Sequence, residues 1–410
     1  MKLLTLNTGS SSLKFALYEI RPGDAGVDAA ECMELLDHGT IDRVGDSQAG
    51  LQMAHGGGGS DAASAAISTR EAVLRSLIAK LDRSGVWKEV AAVGHRFVHG
   101  GSTYREPVLV TPAVRNSLEQ LVPLAPAHLP GELAALDLIA RERPSLPQVA
   151  CFDTAFHAGM PREARLFGIP RRFAEEGVVR YGFHGLSYEY VTTALAERGQ
   201  LGARTIVAHL GNGASMAAIA NGKSIDTTMG FTPVGGFVMS TRSGDIDPGV
   251  LLYLLAERRL PVEEVSALVR VTGGLLGLSE TASDMRDLLA RSPSDERAAE
   301  AVAVFCYQIR KCIGAYVAAL RGLDTLVFTG GIGENSPEIR ARICDSLDCF
   351  GIQLEPEANS AGAAIISPAG SPVTVHVVRT DEESVIARHT RRVLLRSAPV
   401  RPGADPGVPH

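Results

Sequence analysis

Three apolar runs of strand type each end in a small, polar turn. Leu3 to Leu6 leads into Asn7-Thr8-Gly9-Ser10-Ser11, and Thr205 to Ala208 leads into His209-Leu210-Gly211-Asn212-Gly213-Ala214-Ser215. Much later, Thr325 to Thr329 leads into Gly330-Gly331-Ile332-Gly333-Glu334-Asn335-Ser336. Glycine-rich turns after strands let backbone N–H groups approach an anion, because no Cβ stands in the way. A nucleotide phosphate is the ligand such turns suggest. The common fingerprints fail, however. Gly222-Lys223-Ser224 would need a glycine five residues before Gly222, where Ala217 stands, so it is no P-loop. Gly211-x-Gly213 and Gly331-x-Gly333 lack the third glycine of a dinucleotide fold, with Met216 and Ser336 in its place. Taken singly, each is only a turn.

The elements that would position these turns can be read from periodicity. Leu3–Leu6 and Ser12–Ile20 read as a hairpin, in which Leu13, Phe15 and Leu17 alternate with Lys14, Ala16 and Tyr18. Lys14 therefore faces away from the first apolar set. A helix is expected over 69–82, a strand over 91–97 and another over 148–152, ending at Asp153. Val302 to Leu320, with Phe305, Ile309, Ile313 and Val317 at helical spacing, reads as a long amphipathic core helix. Residues 22–64 are rich in Gly, Ala and Asp and include Gly56-Gly57-Gly58-Gly59-Ser60; the latter half reads as a mobile loop or linker. The Pro/Gly-rich end after Leu395 reads as frayed.

Composition narrows the function classes. The 410 residues carry 40 Lys plus Arg against 46 Asp plus Glu, a net charge of −6, with 45% hydrophobic residues. This suits a globular chain of two or three domains with a core large enough to need no staples. Mild acidity disfavours a nucleic-acid binder. No apolar run approaches the ~18 residues of a membrane span, and the opening apolar run is too short for a signal-peptide core. Six cysteines at 32, 151, 306, 312, 344 and 349 form no CxxC pair and no zinc spacing. They read as reduced thiols of a cytoplasmic protein.

Together with the three turns, longer strings carry a resemblance. These are Leu6-Asn7-Thr8-Gly9-Ser10-Ser11-Ser12-Leu13-Lys14-Phe15, Gly94-His95-Arg96, Phe152-Asp153-Thr154-Ala155-Phe156-His157 and Arg180-Tyr181-Gly182-Phe183-His184-Gly185. His209-Leu210-Gly211-Asn212-Gly213 and Thr241-Arg242-Ser243-Gly244-Asp245-Ile246-Asp247-Pro248 complete them. The sequence resembles the acetate kinase (acetokinase) family, within the acetate and sugar kinase, Hsp70 and actin superfamily, over nearly its whole length. The resemblance implies an α/β fold of two ribonuclease-H-like, actin-type ATPase domains with ATP in the cleft between them. It implies a first domain of 1–154 completed by 385–410, with 22–64 a partly flexible insert, and a second, nucleotide-binding domain of 155–384. It further implies a homodimer, with no nucleic-acid or membrane partner.

The same resemblance implies roles. Phosphoryl transfer to a carboxylate must overcome the repulsion of two anions and surround a planar phosphoryl group with donors. Arginine's planar fork matches both carboxylate and phosphate, and the resemblance places Arg96 and Arg242 in the cleft. His184 becomes a donor to the transferring group, His128 a weaker contributor, and Asp153 an orienter of Arg96 or of metal-bound water. Val98, Ala127, Phe183 and Pro233 correspond to the apolar wall around the acceptor. Ser10, Ser12, Lys14, His209, Leu210, Gly211, Asn212 and Gly213 should approach the phosphates. Asp284, Met285, Arg286, Gly331, Ile332, Gly333, Glu334 and Asn335 should line the adenosine side, although Asp284 and Arg286 could equally be a solvated helix pair. Asn7 and Glu382 correspond to the magnesium site, with Mn²⁺ as an alternative ion and Glu383 as an alternative carboxylate.

Two departures bear on specificity. Leu124-Ala125-Pro126-Ala127-His128 carries Ala127 where the family has Leu. The three lost carbons are worth ~2 kcal/mol of apolar contact. A roomier pocket that accepts propionate is expected if residue 127 faces the acyl group. Thr232-Pro233-Val234-Gly235-Gly236-Phe237 also differs from the family pattern beside the arginine loop. The alternatives kept open are a propionate or butyrate kinase and, more remotely, an ATP-driven actin- or Hsp70-like interaction protein.

Overall fold

The computed structural model describes residues 1–8, 12–21, 33–42, 50–55, 60–64 and 70–397. Its frame is two mixed sheets built on one plan. In the first, β1 (Lys2–Thr8), β2 (Ser12–Ile20), β3 (Met33–Asp42), β4 (Gly50–His55) and β5 (Ser60–Ser64) form an antiparallel meander. β6 (Val90–Phe97) then pairs parallel to β1, β8 (Gln148–Phe152) pairs parallel to β6, and the short β7 (Val108–Leu109) closes the edge. The second sheet repeats this order with β9 (Arg204–Leu210), β10 (Ala214–Ala220), β11 (Lys223–Thr227), β12 (Thr325–Thr329) and β13 (Thr374–Val377). In both, a hairpin meander precedes two parallel strands. The second polar turn joins β9 to β10, Asn7 and Thr8 end β1, and the third stretch, expected as a turn, is the short helix Gly330–Asn335 directly after β12; all lie at strand ends, where open α/β sheets place their ligands.

The hairpin, the helix after residue 69 and the strands over 91–97, 148–152 and 325–329 lie where the sequence puts them, to within two residues. The long helix begins earlier, at Glu296, because Asp295 caps it by accepting from the N–H groups of Arg297 and Ala298. Although Glu296–Leu320 has the length and hydropathy of a membrane span, its Phe305, Ile309 and Ile313 are wholly buried in the protein core.

One reading changes. Within 22–64, the stretch expected to be a mobile loop or linker in its latter half contributes three ladder-paired strands, β3 to β5, which widen the first sheet. Residues 22–32, 43–49 and 56–59 and the end after Ser397 lie outside the described residues. In β2, Lys14 lies opposite Leu13, Phe15 and Leu17 as expected, and much of its face is covered as well. Ala16 and Tyr18 are buried beneath Ala387 of the C-terminal helix Glu382–Ser397, while Lys14 on that face reaches solvent. The period-two pattern showed the alternation, but a helix arriving from 370 residues away decided that both faces are covered.

That helix is begun by Asp381, whose carboxylate accepts from the Ser384 N–H at 3.0 Å, and it opens with Glu382 and Glu383 in its first turn. Anionic side chains are favoured there by the helix dipole. It packs on β6 so closely that a Cβ on Gly94 would lie 2.2 Å from the Thr390 hydroxyl oxygen. The helix Gly185–Glu197 lies between the sheets. Leu186 packs with Val149 and Val385 on one side, while Tyr188, Val191 and Leu195 pack against Val207 and Val327 on the other.

Gly185 is the tightest point of this arrangement, since a Cβ there would stand 1.9 Å from the backbone oxygen of Asp153. Gly185→Ala should therefore force the helix off β8 and cost about 3 kcal/mol or more. Gly159→Ala, where nothing lies within 4 Å, should change little. Urea denaturation of both variants checks this; equal midpoints would contradict the close packing.

Candidate active site

The carboxyl ends of β1, β6 and β8 deliver Asn7, Arg96 and Asp153 to one place. Arg96 donates to Asp153 through Nε at 3.1 Å to both oxygens and through Nη2 at 2.6 Å, and its Nη1 donates to Asn7 Oδ1 at 3.2 Å. Asn7 Nδ2 in turn donates to Glu382 at 2.8 Å and to Glu383 at 3.0 Å. Asp153 is wholly buried and Arg96 largely so. Burial works against the Arg96 charge, but Asp153 and Glu382 outweigh it and raise its pKa above the ordinary value. Burial likewise pushes the Asp153 carboxyl up, against the pull of Arg96. Three N–H bonds from a guanidinium that cannot shed its proton leave this pair ionised.

Glu382 and Glu383 differ. Burial opposes the Glu382 charge, yet Arg96, His209 and Lys14 prevail and hold it below the usual carboxylate range. Burial prevails at Glu383, aided by the neighbouring Glu382, and raises it. Lys14 sits opposite Asn7 across the β1–β2 ladder. The Asn7 Oδ1 atom accepts from Arg96 and its Nδ2 faces Glu382; one amide oxygen and one carboxylate would be the sparse set that an ion arriving with a polyphosphate and several waters requires. Among the described residues no group of three His, Cys, Asp or Glu forms a cage that would hold a metal by itself.

The second sheet faces this cluster with Arg242, His184 and the 211–213 turn. Arg242 donates from Nη1 to the Pro233 carbonyl at 2.9 Å, and among the described residues it has no carboxylate partner. Burial lowers its pKa to about 10, and the neighbouring charge of Arg96 acts in the same direction. A Cβ on Gly213 would lie 3.4 Å from His184 Nε2 and 3.5 Å from Arg242 Nη1. The imidazole, the guanidinium and the glycine turn thus converge. His184 has φ 58°, in the left-handed region that a bulky residue seldom occupies, at the start of Gly185–Glu197. Its ring stacks on that of His209, with centroids 4.3 Å apart and planes at 24°. Burial pushes His184 well below the ordinary histidine value, and His209, Arg96, Arg242 and His128 add to the shift.

Val98 and Phe183 are buried in one apolar cluster with Ala125 and Leu129, and Pro233 is buried beside Arg242. Ala127 is exposed in the turn 126–128 and is not in that cluster. His128 is buried at the start of Leu129–Glu142. The two later glycine turns meet, since a Cβ on Gly211 would be 3.9 Å from the Gly331 N. Leu210 is buried, Asn212 is exposed with its carbonyl oxygen accepting from Ser240 N at 3.3 Å, and Gly331 is open. Ile332 is half-buried and Asn335 donates to the Gly331 carbonyl at 2.9 Å. Glu334 looks inward. It accepts from the N–H groups of Gly330 at 2.9 Å and Thr380 at 3.2 Å, clasping the ends of β12 and β13. Asp284 and Arg286 pair with each other at the exposed start of Met285–Arg291, with Met285 buried beneath. Ser10 lies outside the described residues, and Ser12 is described only as the first residue of β2.

Several supporting residues were invisible in the sequence. Glu132 is buried and accepts from the Val98 N–H with both oxygens, at 3.2 and 3.1 Å. Arg340, wholly buried, donates to the carbonyls of Gly333 at 2.8 Å and Glu334 at 2.9 Å, holding the Gly330–Asn335 helix. Ser215 and Ser187 touch the two stacked histidines. Glu132, Ser187 and Arg340 stand in no string with an evident chemical signature, and Ser215 only closes the 209–215 turn.

A family model, the acetokinase family, matches residues 2–388. An acetate kinase of Rhodopseudomonas palustris is 44% identical over 399 residues, covering 95% of this chain and 98% of that protein. A solved acetate kinase from Porphyromonas gingivalis superposes with TM-score 0.82 at 37% identity, over 96% of this chain and 99% of that one. A propionate kinase from Francisella tularensis gives TM-score 0.86 at 33% identity with the same coverage.

Burial holds His95, His99, His157 and His209 each down to about 4. Unfolded, they would titrate near ~6.5. Between those values the unfolded chain binds protons that the folded chain refuses, so stability falls as pH drops from about 6.5 towards 4. Each such proton contributes about 1.4 kcal/mol per pH unit. Urea midpoints measured across this window should decline steeply, and His157→Gln should flatten the slope by about one proton. A midpoint independent of pH would contradict neutral, buried imidazoles.

Proposed function

The chain belongs to the acetokinase family, and on that premise we propose that it is an ATP:acetate phosphotransferase that reversibly makes acetyl phosphate and ADP. The observation that carries the reading is the convergence of Arg242 and His184 on the Gly213 turn, with the charge of Arg96 close enough to bear on Arg242 and, among the described residues, Asp153 as the one carboxylate paired with either guanidinium. A site of that kind calls for anions. The acetate methyl would lie against Val98, Phe183 and Pro233, with its carboxylate on Arg96. The ATP phosphates would lie along Gly211–Gly213 and Lys14, with the adenosine towards Gly331–Asn335 and Asp284–Arg286. The acetate oxygen then attacks the γ-phosphorus in line, its new P–O bond forming as the bond to ADP breaks. Arg242 and the His184 N–H group surround the planar phosphoryl group. A carboxylate is already ionised at neutral pH, so no general base is required. Asp153 holds Arg96 flat rather than moving a proton. We assign Asn7 and Glu382, in preference to Glu383, to hold magnesium, with manganese as an alternative; the bound ion would neutralise the polyphosphate.

We divide the chain into 1–154 with 385–410 and 155–384, hinged at Asp153-Thr154 and Asp381–Ser384. The first sheet draws its strands from residues 2–152 beneath the C-terminal helix, and the second from 204–377, which supports this division. Cys151, Cys306, Cys312, Cys344 and Cys349 are free thiols, which supports a cytoplasmic setting. Ala127 is exposed and lies apart from the Val98 and Phe183 cluster, so nothing at position 127 narrows the acyl pocket. That favours propionate as a second substrate, the acid named for the Francisella tularensis enzyme.

In a hydroxamate assay with ATP and Mg²⁺, wild type should give acyl phosphate from acetate, with kcat/KM for propionate within ~10-fold. Arg96→Ala or Arg242→Ala should each lower kcat by ~10³-fold or more. Activity surviving both substitutions would remove this site from the reaction; a propionate value far below acetate would remove only the wider pocket.

We also propose a homodimer. Val250, Leu252, Tyr253, Val262, Val271 and Leu278 are exposed on the helical segments between 248 and 279, an apolar group that a second copy would cover. Light scattering should give twice the 43.3 kDa chain mass, and Leu252→Asp with Tyr253→Asp should shift it towards monomer. A monomeric wild type at micromolar concentration would refute the dimer.

A further inference from the structure

Tyr188 and Ser215 are wholly buried, and the chemistry above gives neither a task. Both nevertheless end on His184. Ser215 Oγ lies 2.8 Å from His184 Nδ1 and also bonds the Tyr188 hydroxyl. Tyr188 sits one helical turn beyond His184, and its N–H donates to the His184 carbonyl at 3.1 Å. Among the described residues the Tyr188 hydroxyl has no other hydrogen-bond partner, so its proton goes to Ser215 Oγ. The Ser215 proton then has one acceptor left, His184 Nδ1. An imidazole that accepts at Nδ1 carries its own proton on Nε2. Nε2 is the ring atom that stands beside the Gly213 turn together with Arg242 Nη1.

We propose that Tyr188 and Ser215 form a two-hydroxyl relay that fixes His184 as its Nε2–H tautomer and so aims a neutral N–H donor, beside Arg242, at the transferring phosphoryl group. They are positioning residues, acting through His184. A matching pair serves His209, where Thr380 Oγ1 donates to Ser187 Oγ at 2.9 Å and Ser187 Oγ lies 2.8 Å from His209 Nδ1. The two relays are crossed. Ser187 belongs to the helix that follows His184, and Ser215 is paired with His209 across the β9–β10 ladder. Each segment's serine therefore sets the other segment's imidazole, and the two rings stack with both Nδ1 atoms occupied and both Nε2 atoms left for the cleft.

The proposal rests on the phosphoryl-transfer reading, but its first test does not depend on turnover. The full-length protein, labelled with ¹⁵N-histidine and free of substrate, should show His184 at neutral pH with an acceptor-type Nδ1 and a protonated Nε2. His184→Gln assigns the signals. Ser215→Ala should abolish that single tautomer. The same substitution should lower kcat by ~10–100-fold, the scale of a misdirected transition-state donor, with KM for acetate and ATP within about twofold. In a His184→Ala background, adding Ser215→Ala should change kcat by less than about twofold, because both act through one N–H group. Tyr188→Phe, which removes a single oxygen, carries the same cycle if Ser215→Ala fails to fold. An Nδ1–H or doubly protonated His184 in the wild type, or an equal kcat loss in both backgrounds, overturns the relay. A wild type that makes no acyl phosphate would instead overturn the reading beneath it.

Discussion

Two guanidinium groups held close together in a partly buried cleft are the constraint around which this protein is built. Left alone they repel, and burial makes the repulsion dearer. Arg96 is compensated by Asp153 and steadied by Asn7, which is itself held by Glu382 and Glu383. Among the described residues Arg242 has only a carbonyl and a thioether. The imbalance leaves a deficit of negative charge at one point, and an incoming anion removes it. The same feature that weakens the empty site therefore favours the filled one.

The ion-pair network also ties the fold together. Asn7, Arg96 and Asp153 end three neighbouring strands of one sheet, and Glu382 begins a helix that arrives after the whole second sheet has been made. Contacts with sequence separations of 89 and 375 residues meet in one cluster. Duplicated topology explains why the cleft lies where it does. Each sheet presents the carboxyl ends of its parallel strands, and the two sets of ends face each other. Gly185 and Gly94 allow the connecting helices to approach backbone and side chains that any Cβ would displace. The clasp of Glu334 on Gly330 and Thr380 does the same work within the second sheet.

Charge is divided between two kinds of side chain. The arginines remain cations because the guanidinium holds its proton even when buried. The histidines do not, because burial and the nearby arginines both oppose a further positive charge. Neutral imidazoles can stack at 4.3 Å beside two guanidinium groups, whereas imidazolium ions there would be expelled or titrated. Permanent charge and neutral donation are thus kept apart in a space a few residues wide.

Much of this was legible before any coordinates. The strands before residues 8, 210 and 329 and the 211–213 turn depend on local periodicity and on where glycine is needed, and both are written in neighbouring residues; the expected turn at 330–335 is instead a short helix. The strings carrying Arg96, Asp153, His184 and Arg242 likewise announced themselves. Other features could not be read that way. The covering of Ala16 and Tyr18 by the last helix, the strands within 33–64, and the partners Glu132, Ser187, Ser215 and Arg340 are settled by long-range packing. Their roles come from which atom lies within hydrogen-bond reach after the two sheets have closed on each other. Chain-local chemistry thus set the elements and their reactive types. The placement of protons and charges waited for tertiary structure, since desolvation and Coulomb forces act through space rather than along the backbone.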